Sequence, residues 1–469
     1  MRYLLSLATL FSLDRATGYA IGARGFSAIS GSVTVLFIAR YFSLELQGFY
    51  YTFGSVLTFQ TFLELGFGTL IQQFASHEWA HLSLGENGEI VGDDRARRRL
   101  GSLARFSFRW YAIAGFIAVI GLSLGGVAYF STFAPESDSM SVNWFWPWLA
   151  VCLLTGATML LTPVLSILEG CNQVTRVYGV QLAQGVAGRA VTWFTMFWGG
   201  GLWAIAGGRI AGLLLTGTFL LRRYDRFFGA LLRSTGPEPV SESVPEFDTS
   251  SDQIRWKEEI WPLQWKFALT WIGGYLLFAL FTPIVFAFQS AEAAGQMGMT
   301  LALVNVLTSV SYALLSTKIP QLAQHAARRE FTDLDQLFRR VATSSMLAAG
   351  IGALSIWLIL YTLSRSEATL ATRFLPPLEA GALLAAAFIL QLRYALGAYL
   401  RAHKEEPYLH LSVIEGLAAT IGLFILGRFF GTLGMTLGFL AIVTVSIIPA
   451  IVIFQRKRLA WRQDKQVLL

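Results

Sequence analysis

Long apolar stretches alternate with short polar segments along the whole chain. A helix needs roughly 20 mostly apolar residues to cross a bilayer, and most of these stretches reach that length. The stretches are continuous and do not alternate between apolar and polar positions, which favours helices over a β-barrel. The pattern predicts twelve membrane spans: Tyr19–Arg40, Gly48–Ser76, Phe106–Thr132, Trp144–Leu168, Val177–Trp198, Leu202–Leu221, Leu263–Phe288, Gln296–Ile319, Val341–Leu363, Glu379–Leu400, Tyr408–Phe430 and Gly434–Phe454.

Composition agrees with this pattern. Hydrophobic residues occupy 54% of the 469 positions and charged residues only 14%, whereas soluble domains carry about 25% charged residues. Such a surface suits lipid, so a soluble enzyme, a nucleic-acid-binding module and a disordered scaffold are excluded. The fold class is therefore predicted to be all-α integral membrane, with the lipid bilayer as a partner, no nucleic acid and no cofactor.

The 36 Lys and Arg residues orient the predicted spans. With the N-terminus inside, 28 of them lie in cytoplasmic segments or the adjoining span ends, four in periplasmic segments or the adjoining span ends, and four deeper within spans. Because cytoplasmic loops carry an excess of Lys and Arg, both termini are predicted to be cytoplasmic. The net charge of +7 therefore reflects membrane topology and not nucleic-acid binding.

The longest connection, residues 222–262, is rich in Pro, Ser, Gly and Glu. This composition is typical of a flexible polar linker, here on the cytoplasmic side. It separates a predicted N-terminal six-helix lobe, residues 1–221, from a C-terminal six-helix lobe, residues 263–454. A cytoplasmic tail, residues 455–469, completes the predicted organisation.

Two short motifs recur in the two halves. Ser43-Leu-Glu-Leu-Gln-Gly48 is matched by Ser290-Ala-Glu-Ala-Ala-Gly295, and Ile71-Gln-Gln-Phe-Ala-Ser-His77 by Ile319-Pro-Gln-Leu-Ala-Gln-His325. Two matches in the same order, at nearly the same offset, predict a duplication. Because each half holds an even number of spans, the copies would lie parallel in the membrane, with substrate bound in a central cavity between them.

Several of these segments resemble one known family. The stretch Ile38-Ala-Arg-Tyr-Phe-Ser-Leu-Glu-Leu-Gln-Gly-Phe-Tyr-Tyr51, continuing to Glu64-Leu-Gly66 and Gln73-Phe-Ala-Ser-His-Glu78, resembles the first hairpin of bacterial polysaccharide-export flippases. Leu168-Glu-Gly170 and Tyr399-Leu-Arg-Ala-His403 fit the same pattern. Those flippases belong to the multidrug/oligosaccharidyl-lipid/polysaccharide (MOP) exporter superfamily.

The resemblance implies two six-helix lobes around a central cavity and transport by alternating access. Its implied cargo is an undecaprenyl-pyrophosphate-linked oligosaccharide, moved from the cytoplasmic to the periplasmic leaflet of the bacterial inner membrane for cell-surface polysaccharide biosynthesis. A polysaccharide polymerase would be a partner. Two alternatives stay open within the superfamily: a multidrug/cation antiporter, whose cavity would be acidic, and a peptidoglycan-precursor flippase, which would need the same basic cavity.

Four arginines lie at least five residues from either end of a predicted span: Arg24, Arg189, Arg209 and Arg393. Charged side chains are costly at membrane depth unless they are paired or hydrated, so they are candidate site residues. Guanidinium groups match phosphate oxygens bidentately and keep their charge in a low dielectric. We therefore predict that the four arginines line the cavity and bind the pyrophosphate. The alternative is that each one pairs with a carboxylate or carbonyl between packed helices.

Two carboxylates are candidates for coupling transport to protons or Na⁺: Glu64 and Glu415. Glu64 belongs to the series Gln60, Glu64, Gly68 and Gln72, whose spacing of four predicts one face of the second span. The alternative for Glu64 is an ion pair with Arg24 in the neighbouring helix.

The segment His77-Glu-Trp-Ala-His81 matches the HExxH pattern of zinc hydrolases. In that pattern two imidazoles one helical turn apart bind the metal, and the glutamate acts as a general base. The repeat copy at His325 continues Ala-Ala-Arg-Arg, with neither the glutamate nor the second histidine. A membrane zinc protease is therefore a remote alternative, and the prediction is a transporter, not an enzyme, with no bound metal.

Overall fold

The computed structural model describes residues 15–64, 66–85, 89–134, 142–233, 261, 264–265, 278–366, 368–403, 405 and 407–466. The described chain is almost entirely helical, which confirms the all-α integral membrane fold. Within it, seven helices are long and apolar enough to cross a membrane.

Except at the second span, the helices of the first half coincide with the predicted spans. In chain order they are α1 (Arg15–Tyr41), α2 (Leu44–Leu57), α3 (Gln60–Glu64), α4 (Phe67–Trp79), α5 (Asp94–Phe133), α6 (Phe145–Gly170), α7 (Val174–Phe197), α8 (Trp203–Arg223) and α9 (Asp225–Arg233). A small antiparallel hairpin, β1 (Leu82–Leu84) and β2 (Ile90–Gly92), joins α4 to α5 and pairs Ser83 with Val91.

The second half continues the pattern. Its helices are α10 (Phe281–Phe288), α11 (Ala291–Ser316), α12 (Ile319–Ala327), α13 (Phe331–Arg365), α14 (Pro377–Ala402) and α15 (Leu409–Gln466). Half of the predicted seventh span lies outside the described residues. The last two predicted spans lie in α15 on either side of Gly431, whose φ of 65° and ψ of −157° are not helical, so the chain breaks where the two spans were predicted to meet.

The prediction of one unbroken second span is wrong. The chain there forms α2, α3 and α4, and Gly66 before α4 has a left-handed φ of 67° that a helix cannot accommodate. Gln60 and Glu64 consequently lie on a different helix from Gly68 and Gln72, so the four do not form one continuous helical face.

The segment predicted as a flexible linker begins with structure. Residues 225–233 form α9, whose Phe227 and Leu231 are buried. The Phe227 ring lies 6.1 Å from that of Trp79. An amphipathic helix therefore replaces the expected coil at this point, because Phe and Leu recur at helical spacing between the charged residues. Residues 234–260 lie outside the described residues, and the lobe boundaries stay a prediction.

The helices group into two compact units. Unit 1 takes its described residues from Met1–Phe26, Leu57–Tyr129 and Asn143–Ala268. Trp148 is fully buried in it and donates its indole N–H to the carbonyl of Leu122 at 3.1 Å.

Unit 2 takes its described residues from Ser27–Val56, Phe130–Val142 and Leu269–Leu469. At one place in its core the rings of Phe49, Phe130 and Phe286 contact one another, with centroids 5.0 to 5.8 Å apart. Aromatic rings at such separations add to the stabilisation from burial alone.

The duplicated motifs have the same local structure. Ser43 Oγ accepts a hydrogen bond from the backbone N–H of Leu46 at 3.1 Å, and Ser290 Oγ accepts one from Ala293 at 3.0 Å. Each serine thus caps the helix that follows, satisfying an amide that has no partner within the helix.

The last residues of the two motifs, Gly48 and Gly295, pack against each other within unit 2. A Cβ added at Gly48 would overlap the carbonyl of Ala291, and one added at Gly295 would lie 2.9 Å from the Gly48 nitrogen. This approach of two helix backbones explains why both copies of the motif end in glycine.

Candidate functional site

In unit 1 the helices α7 and α8 pack as an antiparallel pair. A Cβ added at Gly188 would lie 3.0 Å from the carbonyl oxygen of Gly208, so the two backbones meet at these glycines. Arg189 and Arg209 each follow one of them in sequence. The structure therefore brings two of the predicted arginines to the same depth on neighbouring helices.

Arg209 is half-buried, and its guanidinium group donates a hydrogen bond to Thr155 Oγ1 on α6 at 3.0 Å. The thiol of Cys152, one helical turn earlier on α6, lies within electrostatic range. No described carboxylate forms an ion pair with Arg209. A hydroxyl and a thiol leave most of the guanidinium donors available, because Arg carries five N–H groups.

Arg189 is also half-buried, and it forms neither a hydrogen bond nor an ion pair with any described residue. Its helix α7 is 24 residues long but is absent from the seven apolar spans, since Gln181, Gln184 and Arg189 make it too polar. Such a helix is unsuited to lipid and belongs in the interior of a bundle.

The backbone of Arg24 lies in α1, but its side chain lies outside the described residues. The neighbouring Gly22 faces α7, since a Cβ added there would lie 3.7 Å from Leu182 Cδ2. The roles predicted for Arg24, as a pyrophosphate ligand or as the partner of Glu64, stay predictions.

Arg393 has a different environment. In unit 2 its guanidinium forms a buried ion pair with Glu415, the carboxylate predicted to couple transport; the two residues are 8% and 2% exposed. Arg393 also donates to Ser412 Oγ at 3.2 Å, and Ser446 Oγ donates to Glu415 at 2.7 Å. The structure thus brings two predicted site residues together, as a pair joining α14 to both arms of α15.

Glu64 stands at the end of α3 in unit 1 and forms no ion pair with a described residue. The ring of Tyr111 on α5 is fully buried, and its hydroxyl lies within electrostatic range of the Glu64 carboxyl group. A Cβ added at Gly68 would lie 3.5 Å from that hydroxyl, so the start of α4 adjoins it as well. A carboxyl group beside a hydroxyl, with no described cation to hold it charged, can take up a proton or contribute to cation binding.

The HExxH segment is not arranged as a zinc site. Glu78 accepts a hydrogen bond from Arg99 Nε at 2.8 Å in an ion pair, so it is not free to act as a general base. His81 lies beyond the end of α4, which closes at Trp79. The two histidines therefore do not occupy successive turns of one helix.

A cavity in unit 2 was not anticipated from the sequence. Its volume is about 430 Å³, and it is lined by Phe278, Asn305, Thr308, Ser309, Tyr312, Tyr394 and Arg401. Four of these residues share the i, i+3, i+4, i+7 spacing of one face of α11. That polar stripe within an apolar span is the sequence signal for the cavity, whereas the predicted site residues are all charged.

Outside the spans, the C-terminal end of α14 packs on α15. His403 stacks on Trp461 with ring centroids 3.7 Å apart, and Glu405 pairs with Lys457. The Lys457 ammonium holds the pKa of Glu405 below its usual value, whereas burial lowers the pKa of His403. Asp335 on α13 completes this end by accepting hydrogen bonds from Tyr399, Arg458 and Arg462.

Comparison with known proteins identifies the fold. Neither a protein-family model nor a curated protein sequence matches the chain. An inward-facing multidrug resistance MATE family transporter of the MOP superfamily matches 98% of each chain, with a TM-score of 0.64 and 13% identity. The chain has the fold of MOP superfamily transporters.

Two further solved structures support the same conclusion. The lipid II flippase MurJ, in an inward closed conformation, matches 94% of this chain and 90% of its own, with a TM-score of 0.59 and 14% identity. The MATE multidrug transporter DinF-BH matches 95% of each chain, with a TM-score of 0.57 and 15% identity. At these identities the likeness establishes the fold.

Proposed function

We propose that the protein is a flippase that moves undecaprenyl-pyrophosphate-linked oligosaccharide from the cytoplasmic to the periplasmic leaflet of the bacterial inner membrane by alternating access. The observation that carries the proposal is Arg209, a guanidinium in a membrane-spanning helix with only a hydroxyl and a thiol beside it among the described side chains. A cation at this depth without a described counter-ion is suited to an anion brought by the substrate.

A pyrophosphate headgroup supplies that anion. Its oxygens match the planar fork of a guanidinium, and such charge-assisted bonds are about twice as strong as neutral ones. Arg189 at the same depth, and Arg24 on α1, would complete the basic site. Arg393 takes part less directly, because Glu415 already neutralises it.

Coupling to an ion gradient is assigned to the carboxylates. Glu64 is the stronger candidate, since no described cation holds it in the charged state. Protonation of Glu415 would instead release Arg393, so that pair would couple by changing the packing of α14 on α15. A polysaccharide polymerase remains the predicted partner after export.

The three alternative functions are not equally supported. A multidrug/cation antiporter needs acidic groups for cationic cargo, and Arg209 and Arg189 oppose such cargo. A peptidoglycan-precursor flippase needs the same basic site, and the likeness to the lipid II flippase MurJ favours it as the second candidate. The ion pair of Glu78 with Arg99 argues against a membrane zinc protease.

Reconstitution tests the proposal directly. Purified full-length protein is placed in liposomes with a short-chain polyprenyl-diphospho-N-acetylglucosamine, and an impermeant galactosyltransferase is added outside with UDP-galactose. Wild-type protein should expose the inner-leaflet lipid to the enzyme, and Arg209→Ala should slow this by at least about tenfold because a charge-assisted phosphate contact is lost. Arg365→Ala, which removes an exposed cation on α13, is the matched control.

Inner-leaflet lipid that stays protected with the wild-type protein, as in empty liposomes, would overturn the proposal. Transport of a cationic rhodamine dye by the same liposomes, insensitive to Arg209→Ala, would favour the drug antiporter. A cargo series that compares the monosaccharide lipid with lipid II separates the two flippase alternatives.

A further inference from the structure

The cavity of unit 2 has the side chains of a carbohydrate site. Tyr312 and Tyr394 form its aromatic wall, with ring centroids 6.0 Å apart and planes inclined at 72°. Asn305 and Ser309 line another part of it and are exposed. Ligand pockets combine aromatic surface with a few polar groups that set orientation, and this cavity has both.

The polar residues of α11 are not explained by packing. Asn305 and Ser309 are exposed on a helix whose other exposed side chains are largely apolar, and neither side chain forms a hydrogen bond with a described residue. Polar groups on a membrane helix face water or a ligand, because lipid cannot satisfy them. The stripe on α11 therefore looks into an aqueous cavity.

Arg401 places a cation at the edge of the same cavity. Its side chain folds back along α14, where a Cβ added at Gly397 would lie 3.2 Å from Arg401 Nη1. It forms no ion pair or hydrogen bond with any described residue, and its charge acts on Tyr394. The glycine thus leaves room for an unpaired guanidinium next to the aromatic wall.

We propose that this cavity is a saccharide-phosphate subsite, in which Tyr312 and Tyr394 contact the first sugar, Asn305 and Ser309 bind its hydroxyls, and Arg401 binds the adjoining phosphate. The proposal rests on the proposed function for the class of ligand, and it adds a site that none of the predicted arginines forms. A cavity of about 430 Å³ accommodates a group of this size.

Two probes separate sugar from phosphate binding: farnesyl diphosphate and farnesyl-diphospho-N-acetylglucosamine, each titrated against the full-length protein in lipid nanodiscs. Wild-type protein should bind the sugar-bearing probe about tenfold more tightly, by about 1.4 kcal/mol. Asn305→Ala and Tyr312→Ala should each remove most of that preference without changing the affinity for farnesyl diphosphate. Arg401→Ala should weaken both probes about tenfold.

Control variants separate effects on folding from effects on ligand binding. Tyr361→Ala and Arg365→Ala remove the same side-chain types from the exposed face of α13 and should bind both probes as wild type does. Asn305 is exposed, so its variant tests the site without disturbing packing. Tyr312→Phe should retain packing and lose part of the sugar preference.

The outcomes distinguish the two proposals. If wild type binds both probes and every cavity variant binds them equally well, the subsite is overturned and the flippase proposal stands. If wild type binds neither probe, the flippase proposal is overturned and the subsite with it. A loss of the sugar preference alone in Asn305→Ala and Tyr312→Ala supports the subsite.

Discussion

Arg209 in unit 1 and Arg393 in unit 2 are both guanidinium groups within membrane-spanning helices, but their surroundings differ. Arg393 is neutralised by Glu415. The second terminal nitrogen of Arg393 donates to the Ser412 hydroxyl, and the other carboxylate oxygen of Glu415 accepts from the Ser446 hydroxyl. Arg209 has a hydrogen bond to Thr155 and no described counter-ion. The depth of a charge in the membrane is therefore not enough to propose a binding role, and our proposal for Arg209 rests on the absence of a described counter-ion.

Breaking the pair in unit 2 should have the largest effect. Glu415→Gln leaves Arg393 buried without its counter-ion, and such a loss costs roughly 3–5 kcal/mol. The variant should show a much lower apparent melting temperature in detergent and a poor folded yield. Replacing both partners, as Arg393→Met with Glu415→Leu, should recover most of the stability because no buried charge remains. A double variant as unstable as Glu415→Gln would contradict a simple ion pair.

Removing Arg209, which has no described counter-ion, should have the opposite effect on stability. Arg209→Leu deletes a partly desolvated charge, so it should raise stability by about 0.5–2 kcal/mol while abolishing transport. Thermal unfolding tests the predicted gain in stability, and the liposome assay on the same preparation tests the predicted loss of transport. Destabilisation as large as that of Glu415→Gln would show that Arg209 is a structural residue like Arg393.

Glu64 extends the comparison to carboxylates. Glu64→Gln keeps the shape of a group that no described cation stabilises, so stability should change by less than about 0.5 kcal/mol. Transport should lose its dependence on the coupling-ion gradient, measured by varying the proton and Na⁺ gradients separately. Glu292→Gln, an exposed carboxylate in the first turn of α11, is the control and should keep that dependence.

Acidification should lower the stability of the protein slightly, through His403 and Glu405 outside the spans of unit 2. The pKa values of Glu405 and His403 lie below their ordinary values of 4.5 and 6.5, so the unfolded state binds protons more readily. Their contribution is complete above those ordinary values and is lost as the pH falls through the folded-state values. Because the Glu405–Lys457 pair is about 40% exposed, it contributes less than about 1 kcal/mol.

Melting temperatures measured between about pH 8 and pH 4 test this prediction. His403→Gln should remove the part of the decline that begins near pH 6.5, and Glu405→Gln should remove the part that begins near pH 4.5. A rise in melting temperature on acidification would have the wrong sign for both groups.

Among the described residues, most predicted spans coincide with helices, because apolar length is a local property. The sequence did not predict the break at Gly66, since a positive φ depends on the packing around the glycine. The break at Gly431 lies at the predicted boundary between the last two spans. The segment around α9 was misassigned because the acidic and proline-rich residues that follow it dominated the composition.

The candidate site was predicted less completely. The charged residues were identified, but the pairing of Arg393 with Glu415 depends on how α14 packs on α15 and has no local signature. Arg401 lies in the segment Tyr399–His403 that fits the family pattern, but the sequence does not predict it as a binding residue. The spacing of Asn305 and Tyr312 was visible in the sequence, but their position beside Arg401 required the fold.

The contact between Gly48 and Gly295 bears on how the chain originated. If both motifs descend from one ancestral segment, two copies of that segment would have packed against each other at this glycine, as the two chains of a homodimer do at a two-fold axis. Fusion into one chain then allows the two sides to diverge. They have diverged next to the glycine. The side-chain amide of Gln47 forms two hydrogen bonds with Arg373, whereas its counterpart Ala294 has no side-chain amide. On the other side Gln296, which follows Gly295, donates a hydrogen bond to the carbonyl of Thr372 at 2.9 Å, so the two sides now make different polar contacts.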